Sequence, residues 1–196
     1  GETFDKAAKM LNLEQPGGAK IEEISNNGDE YAFKLPRPLY KSKNPNFSFS
    51  GLKTAFSRLV NKVEINNNKS DLAASFQSAI NDCILDRTIL GIKIFKNMIL
   101  KNENLRLVVA GGVASNKKIR QSLKTLTTEH KIEFYAPPIN LCTDNGAMIA
   151  WAGYEKFLAN GPSRLNFKAR PRWPLDPETY KTNPVMKKIG KKGAKA

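Results

Sequence analysis

Two short stretches carry residue types suited to chemistry, and the first joins an apolar run to a helical pattern. Gly111 and Gly112 follow that run and continue as Val-Ala-Ser-Asn116. Glycines at such a junction let a phosphate or ribose approach the backbone, and a helix N-terminus offers free N–H groups. The stretch lacks the Lys-Ser/Thr of a P-loop and the third spaced glycine of a dinucleotide fingerprint. A tight turn with Asn116 as a helix cap is the ordinary alternative.

The second stretch runs from Cys142 through Asp144 to Gly146 and precedes another helical pattern. An aspartate at that place is more often an N-cap than a ligand. A cysteine nucleophile needs a neighbouring base, and the only histidine is His130, in a charged segment that predicts surface exposure. The residues alone therefore predict no complete catalytic constellation.

Hydrophobic periodicity predicts the elements that position these stretches. Helices are expected over 2–13, from a cap at Ser48 or Ser50 to about 63, from Ser70 to about Leu100, after 112, and from Thr143 or Asp144 to a stop at Asn160-Gly161-Pro162. The first is expected to bury Phe4, Ala7, Ala8 and Leu11, and the last Ala147, Met148, Trp151, Ala152 and Leu158. Strands are expected over 31–35, 105–110 and 132–135, the second buried on both faces. Pro16-Gly17-Gly18 is expected to end the first helix and Asn61–Lys69 to be a loop. The class is α/β with a mainly parallel sheet.

Composition limits the class of protein. The 196 residues are 40% hydrophobic, enough for one cored domain, and no stretch approaches the roughly 20 apolar residues of a membrane helix. The N-terminal residues do not resemble a secretory signal, and Cys83 and Cys142 in apolar contexts predict buried free thiols in a reducing compartment.

The net charge is +14, and residues 164–196 alone hold +8. A solvated terminus, above all after Val185, and a phosphate-contacting patch are both consistent with this basic tail.

Six ordered blocks resemble the TsaD family of tRNA threonylcarbamoyltransferases. They are Gly1-Glu-Thr-Phe-Asp-Lys6, Pro16-Gly-Gly18, Phe47-Ser-Phe-Ser-Gly-Leu-Lys-Thr-Ala55, Gly111-Gly-Val-Ala-Ser-Asn116, Cys142-Thr-Asp-Asn-Gly-Ala-Met-Ile-Ala150 and Arg170-Pro-Arg-Trp-Pro-Leu175. They are distributed over most of the chain. The resemblance implies the fold shared by actin, the heat-shock chaperone ATPases and sugar kinases, an RNase H-like lobe with a mainly parallel sheet.

The resemblance also implies a reaction. Family members transfer the threonylcarbamoyl group from threonylcarbamoyl-AMP to N6 of the adenosine beside the anticodon, in tRNAs that read codons beginning with A. Carried over by motif, Asp5, Gly18 and Asn116 hold the nucleotide of that donor, together with the Gly111-Gly112 loop. Asp144 is expected to be the carboxylate ligand of one divalent metal, iron or zinc.

The family's other metal ligands are two histidines of an HxxxH motif in an N-terminal half, and this chain has no such motif. Residues 1–163 are therefore expected to be the C-terminal part of the enzyme, mostly its second lobe, and 164–196 a basic extension. The metal and donor site is expected between the lobes, with one wall from this chain. The chain without its N-terminal half is expected to be inactive.

The Lys- and Asn-rich composition and the basic tail predict a mitochondrial member, with the bacterial cytoplasm as the alternative. The family implies a homodimer in the first case and accessory subunits in the second, with tRNA and no membrane as partner. Basic residues expected to contact tRNA are Lys53, Arg120, Arg164, Arg170 and Arg172. A solvated helix face is the alternative for Lys53 and Arg120.

Three other functions remain open from the sequence. A sugar-kinase-like or chaperone-like ATPase would use the Gly111 loop for ATP, and the fold alone permits it. A metallopeptidase, the older glycoprotease assignment of this family, would share the metal site. A noncatalytic tRNA-binding module would bind RNA in a salt-dependent way without any requirement for Asp144.

Overall fold

Six helices and one small sheet make up the described part of the chain, residues 1–99 and 104–166 of the computed structural model. The helices are α1 (Glu2–Met10), α2 (Gly17–Ser25), α3 (Ser50–Val60), α4 (Ile65–Met98), α5 (Lys117–Glu129) and α6 (Gly146–Asn160). The strands are β1 (Arg106–Val108) and β2 (Glu133–Tyr135), and 3₁₀ turns span Gly112–Ser115 and Ile139–Leu141. The chain forms two compact units, Gly1–Asn145 and Gly146–Ala196. The predicted boundary at 163/164 stays a prediction.

Three phenylalanines from three helices form the centre of the first unit. Phe76 of α4 packs against Phe56 of α3 at 4.4 Å between ring centroids, and against Phe4 of α1 at 6.2 Å, edge to face. Leu11, Ile21, Leu52 and Leu72 complete this core and are fully buried. The predicted apolar face of the first helix is confirmed, since Phe4, Ala7, Ala8 and Leu11 are all buried.

Helix starts differ from the sequence prediction in three places. Pro16 occupies the N-cap position of α2, a helix that the prediction missed, so the chain turns there into a new element. Phe49, not a serine, precedes α3, and no side chain caps it. The Asn-rich segment predicted as a loop is helical from Ile65, where Asn67 and Asn68 donate hydrogen bonds back to Glu64.

The strand predicted over 31–35 is wrong, because no partner strand lies beside this segment among the described residues. It crosses α4 as an irregular chain, with the Phe33 N–H donating to Ser75 Oγ at 3.1 Å. Leu35 is buried, whereas Tyr31 is 82% exposed. The apolar residues of this segment alternate in sequence because Leu35 is anchored in the core, and not because the segment pairs with another strand.

The sheet consists of β1 and β2 in parallel, with Leu107 opposite Phe134 in register. Parallel strands joined through a helix, here α5, confirm the α/β class with a parallel sheet, although helices dominate. The expectation that the strand over 105–110 is buried on both faces is wrong. Val108 is 69% exposed, and only the alternate residues Leu105, Leu107 and Val109 pack against the core. Among the described residues, helices cover one face of the sheet.

The second unit contains α6, whose bounds fit the predicted end at Asn160-Gly161 but begin later, at Gly146. The expected inner face of Ala147, Met148, Trp151, Ala152 and Leu158 is not buried, and Trp151 is 65% exposed. The described residues 146–166 contain no other helix or strand that could cover it. Within the described residues, no helix is both long and apolar enough to cross a bilayer.

Both cysteines are buried and free, as predicted. Cys83 lies on α4, where burial raises the pKa of its thiol to about 11, an effect only partly offset by the nearby Arg37 guanidinium. A raised thiol pKa disfavours the reactive thiolate.

We therefore expect Cys83 to resist alkylation in the folded protein. At pH 8 a pKa of about 11 leaves roughly one thiolate in a thousand. Iodoacetamide labelling followed by peptide mass spectrometry, in buffer and in urea, measures this directly. Equal labelling rates of Cys83 in the two conditions would contradict the burial described for this thiol.

Candidate functional site

A cleft of about 810 Å³ opens between α2 and the start of α5, within the size range of small-molecule sites. Its lining is mostly polar and comes from α2, the turn after it, α4 and α5: Ala19, Glu22, Glu23, Ser25, Asn26, Gly28, Asp29, Glu30, Ala74, Gln77, Lys117 and Lys118. None of the residues predicted to bind the nucleotide lines it, yet Gly18 and Asn116 each adjoin a lining residue in sequence. The cleft is therefore the candidate donor site.

The N-terminus of α2 brings two of the predicted residues together. The Gly17 N–H donates to Asp5 Oδ1 at 3.1 Å and to Gln15 Oε1 at 3.0 Å, so the carboxylate occupies the positive end of the helix. A Cβ on Gly17 would lie 2.7 Å from both Asp5 Cα and Ala8 Cβ, which explains the glycine. Gly18 is half-buried beside this contact, with only Phe4 Cβ, at 3.9 Å, near the place of a Cβ.

The side chain of Asn116 lies inside the protein and is 6% exposed. Its Oδ1 accepts the Ile119 N–H at 2.9 Å, which makes it the N-cap of α5, and its Nδ2 donates to Gln77 Oε1 at 2.7 Å. Gln77 Nε2 in turn donates to Ser25 Oγ at 2.7 Å. The cap expected as the ordinary alternative is present, and a buried polar chain joins the end of α2 to the start of α5 through α4.

Two further contacts cross the cleft, and sequence reasoning missed both. Glu22 accepts the backbone N–H of Lys117 at 2.5 Å, and Glu30 forms an ion pair with Lys118. The hydrogen bond from Lys118 lowers the pKa of the Glu30 carboxyl. Nothing in the local pattern identifies Glu22 or Gln77, because their partners lie far away along the chain.

The Gly111-Gly112 loop leaves β1 as predicted and enters the 3₁₀ turn before α5. Gly111 has φ +91°, a backbone conformation that side chains disfavour, and nothing lies within 4 Å of a Cβ at either glycine. Both glycines are exposed and remain outside the cleft lining. The backbone is thus accessible to a ligand at this turn.

Arg120 connects this loop to the one that precedes Asp144. Its Nε donates to Ala114 O at 2.9 Å, and its Nη2 donates to Pro137 O at 2.9 Å and to Cys142 Sγ at 3.1 Å. None of the three acceptors is a carboxylate, so no acidic partner offsets the charge of the guanidinium while it holds the loops. A contact between Arg120 and tRNA remains a prediction. In the structure, the side chain of Arg120 holds the two loops together.

Asp144 follows the 3₁₀ turn Ile139–Leu141 in an irregular segment and is exposed. Within the described residues, no group of three or more His, Cys, Asp or Glu side chains is arranged to hold a metal ion. These residues therefore offer an exposed carboxylate and not a complete site.

Lys53, another predicted tRNA contact, does not line the cleft. Lys53 on α3 is 3.8 Å from Glu2, whose pKa is lowered first by its hydrogen bond with Lys6 and then by the charge of Lys53. Arg164 is exposed. Arg170 and Arg172 fall outside the described residues.

The two adjacent glycines of α2 make a matched pair of variants. We expect Gly17→Ala to lower the free energy of unfolding by about 1–3 kcal/mol, because its methyl group meets backbone and a core side chain. Gly18→Ala should leave stability unchanged or raise it by about 0.5 kcal/mol, as alanine favours helix. Urea unfolding followed by circular dichroism measures both. Equal destabilisation by the two substitutions would contradict the close approach at Gly17.

Asn116→Ala tests the buried polar chain. Loss of the cap costs about 1 kcal/mol, and the amide of Gln77 left without its partner adds about 1–3 kcal/mol. Asn116→Ser keeps a capping oxygen and should lose less. Thermal unfolding of the three proteins separates the two contributions, and an Asn116→Ala variant as stable as the parent would show that the chain contributes nothing.

Comparison with known proteins agrees with the motifs. The sequence model of the TsaD family, described as tRNA N6-adenosine threonylcarbamoyltransferase, matches residues 1–151. A protein of that name from Brucella suis is 46% identical over 198 aligned residues, which cover 100% of this chain and 54% of that protein. Proteins of the same name from Brucella ovis and Brucella abortus match equally, at 46% identity. The chain spans about half the length of these relatives, and it belongs to the TsaD family.

Proposed function

We propose that this chain forms one wall of an enzyme that transfers the threonylcarbamoyl group from threonylcarbamoyl-AMP to N6 of the adenosine beside a tRNA anticodon. The family match over residues 1–151 carries the proposal. The names of relatives 46% identical over the whole chain support it.

The proposed chemistry asks the protein mainly for binding and orientation. The adenosine N6 attacks the carbamoyl carbon, the bond from that carbon to the phosphate oxygen breaks, AMP leaves, and N6 gives up a proton. A cleft of about 810 Å³ accommodates a nucleotide. The carboxylates of its lining suit ribose hydroxyl groups as hydrogen-bond acceptors.

A metal enters this proposal only through Asp144. Its exposed carboxylate fits one position of a shared site, and the described residues supply no further cluster of ligands. A bound divalent ion would stabilise negative charge on the departing phosphate. The remaining ligands would come from an N-terminal half, and the choice between iron and zinc is open.

The finer fold assignment belongs to the same proposal. A parallel pair of strands connected through α5, with helices on one face, is consistent with a lobe of the actin, chaperone and sugar-kinase type. The turn at Gly111, where a phosphate could approach the backbone, follows the carboxyl end of β1. In open α/β sheets, ligands bind at this end of the strands.

The rival functions have less support. The relatives carry the name of a threonylcarbamoyltransferase and not of a kinase, chaperone or peptidase. A noncatalytic RNA module would leave the donor cleft without a role. The transferase is therefore the better proposal.

The wider context is proposed on composition and family alone. We place the protein in mitochondria as a homodimer because of its basic, Lys- and Asn-rich sequence. The named relatives are bacterial, which keeps the bacterial cytoplasm with accessory subunits as the alternative. In either setting tRNA is the macromolecular partner.

The first test uses the chain joined to an N-terminal half such as that of its relatives, with unmodified tRNA and threonylcarbamoyl-AMP. We expect nucleoside mass spectrometry to detect threonylcarbamoyladenosine, and Asp144→Ala to reduce its rate of formation about 100-fold or more, since charge stabilisation worth several kcal/mol is lost. Glu129→Ala, at another exposed carboxylate, is the control and should have no effect.

A folded, metal-loaded protein that forms no product would overturn the transferase and favour a kinase-like or binding function. Product formed by the 196-residue chain alone would overturn the role of Asp144 as a ligand shared with another half.

A further inference from the structure

A cationic face runs along α5, formed by Lys117, Arg120 and Lys124. Their spacing of three and four residues places them on one side of the helix. They line a pocket of about 460 Å³ with Gln121, Phe134 and Ala136. No acidic side chain of the described residues contributes to this lining, so the pocket combines three positive charges with one amide and a small apolar floor.

The two lysines of this cationic face are available to a ligand. Lys117 and Lys124 are exposed, and none of the ion pairs between described residues includes either of them. Lys118 differs, because it pairs with Glu30 across the cleft. Glu22 meets Lys117 through the backbone N–H of that residue. The charge on the cationic face is therefore largely uncompensated.

Arg120 gives the face a fixed centre. Its hydrogen bonds to Ala114, Pro137 and Cys142 hold the guanidinium in one place without neutralising it. A positioned cation loses less conformational entropy on binding an anion than a free side chain does.

The position of the face relates it to the candidate site. Lys117 lines both the cationic pocket and the donor cleft, so the face begins at the rim of the cleft. Arg120 binds the segment from Pro137 to Cys142, two residues before Asp144. A ligand on this face would pass next to both the donor cleft and the Asp144 loop.

The length of the face selects the class of ligand. Lys124 lies seven positions after Lys117 on the helix, a rise of about 10.5 Å. One phosphate group cannot span that distance, whereas a nucleic-acid backbone presents negative charges in series. We propose that the cationic face of α5 binds successive phosphates of the substrate tRNA and holds its backbone at the rim of the donor cleft. The identity of the RNA rests on the proposed function.

The test compares two double variants of equal charge. Lys117→Gln with Lys124→Gln removes the exposed ends of the face, and Lys43→Gln with Lys62→Gln removes two exposed lysines that line none of the described pockets. Arg120 is left intact because it holds the loops. Glutamine is tolerated in helices, so circular dichroism should show that both double variants are folded.

Binding of an unmodified tRNA transcript to the 196-residue chain is measured by fluorescence anisotropy over a series of salt concentrations. Each lost phosphate contact reduces the slope of log affinity against log salt by about 1, so the α5 pair should reduce it by about 2 and weaken binding several-fold. The control pair should change the slope by less than about 0.5. Equal slopes for the two pairs, or an unchanged slope for the α5 pair, would overturn the proposal.

A second readout separates this inference from the proposed reaction. In the protein with an N-terminal half, Lys124→Gln should raise KM for tRNA while kcat changes little, because Lys124 lines the cationic pocket and not the donor cleft. If the parent protein makes no threonylcarbamoyladenosine but the α5 pair still lowers the salt slope, the reaction fails and the RNA surface stands. If the parent forms product and Lys124→Gln leaves KM unchanged, the reaction stands and the RNA surface is wrong.

Discussion

The buried chain of hydrogen bonds from Ser25 through Gln77 to Asn116 determines the geometry of the candidate site. It joins three helices that are distant in sequence, at 2.7 Å for each of its two side-chain contacts. Polar groups without partners in an apolar interior cost several times what a paired group contributes, so such a chain tolerates one arrangement of α2, α4 and α5. The cleft exists because this arrangement holds the end of α2 beside the start of α5.

The two loops that carry the Gly111 and Asp144 motifs depend on the same helix. α5 begins at the capped Asn116, and one turn later Arg120 reaches back to both the Gly111 loop and the Pro137–Cys142 segment. An error in the placement of α5 would therefore displace every stretch that the sequence marks for chemistry. Arg120 could therefore affect function through the position of these loops, without touching a substrate.

Local patterns predicted the elements whose packing is local. The faces of α1 and α5 follow from helical spacing, and Phe4, Ile119 and Leu123 are buried as that spacing requires. The same spacing rules failed where the outcome depends on remote partners. The alternation at 31–35 resembles a strand, but the segment bonds to Ser75 of α4. The helix α2 was missed because Pro16-Gly17-Gly18 was interpreted as a helix stop, whereas α1 ends at Met10 and Pro16 is the N-cap of α2.

The residues of the candidate site also fall into two groups, those that the local sequence indicates and those that depend on remote partners. The motifs predict site roles for Asp5, Gly18, Asn116 and Asp144, since the blocks that contain them are contiguous in sequence, and these roles stay predictions. Glu22 and Gln77 escaped, because a glutamate and a glutamine in helices ordinarily predict solvent exposure, and the partners that bury or engage them are 95 and 39 residues away. Their role follows from tertiary structure alone.

Asn116 and Asp144, although both come from family motifs, present opposite geometries. The amide of Asn116 is used on both sides within the protein, by Ile119 and by Gln77, and is almost fully buried. A ligand that bonds to it must approach through a small exposed fraction or replace a partner. Within the described residues its role is to fix the N-terminus of α5, from which Lys117 and Lys118 extend into the lining of the cleft. The carboxylate of Asp144 is exposed, so it can interact with groups that the described residues do not supply.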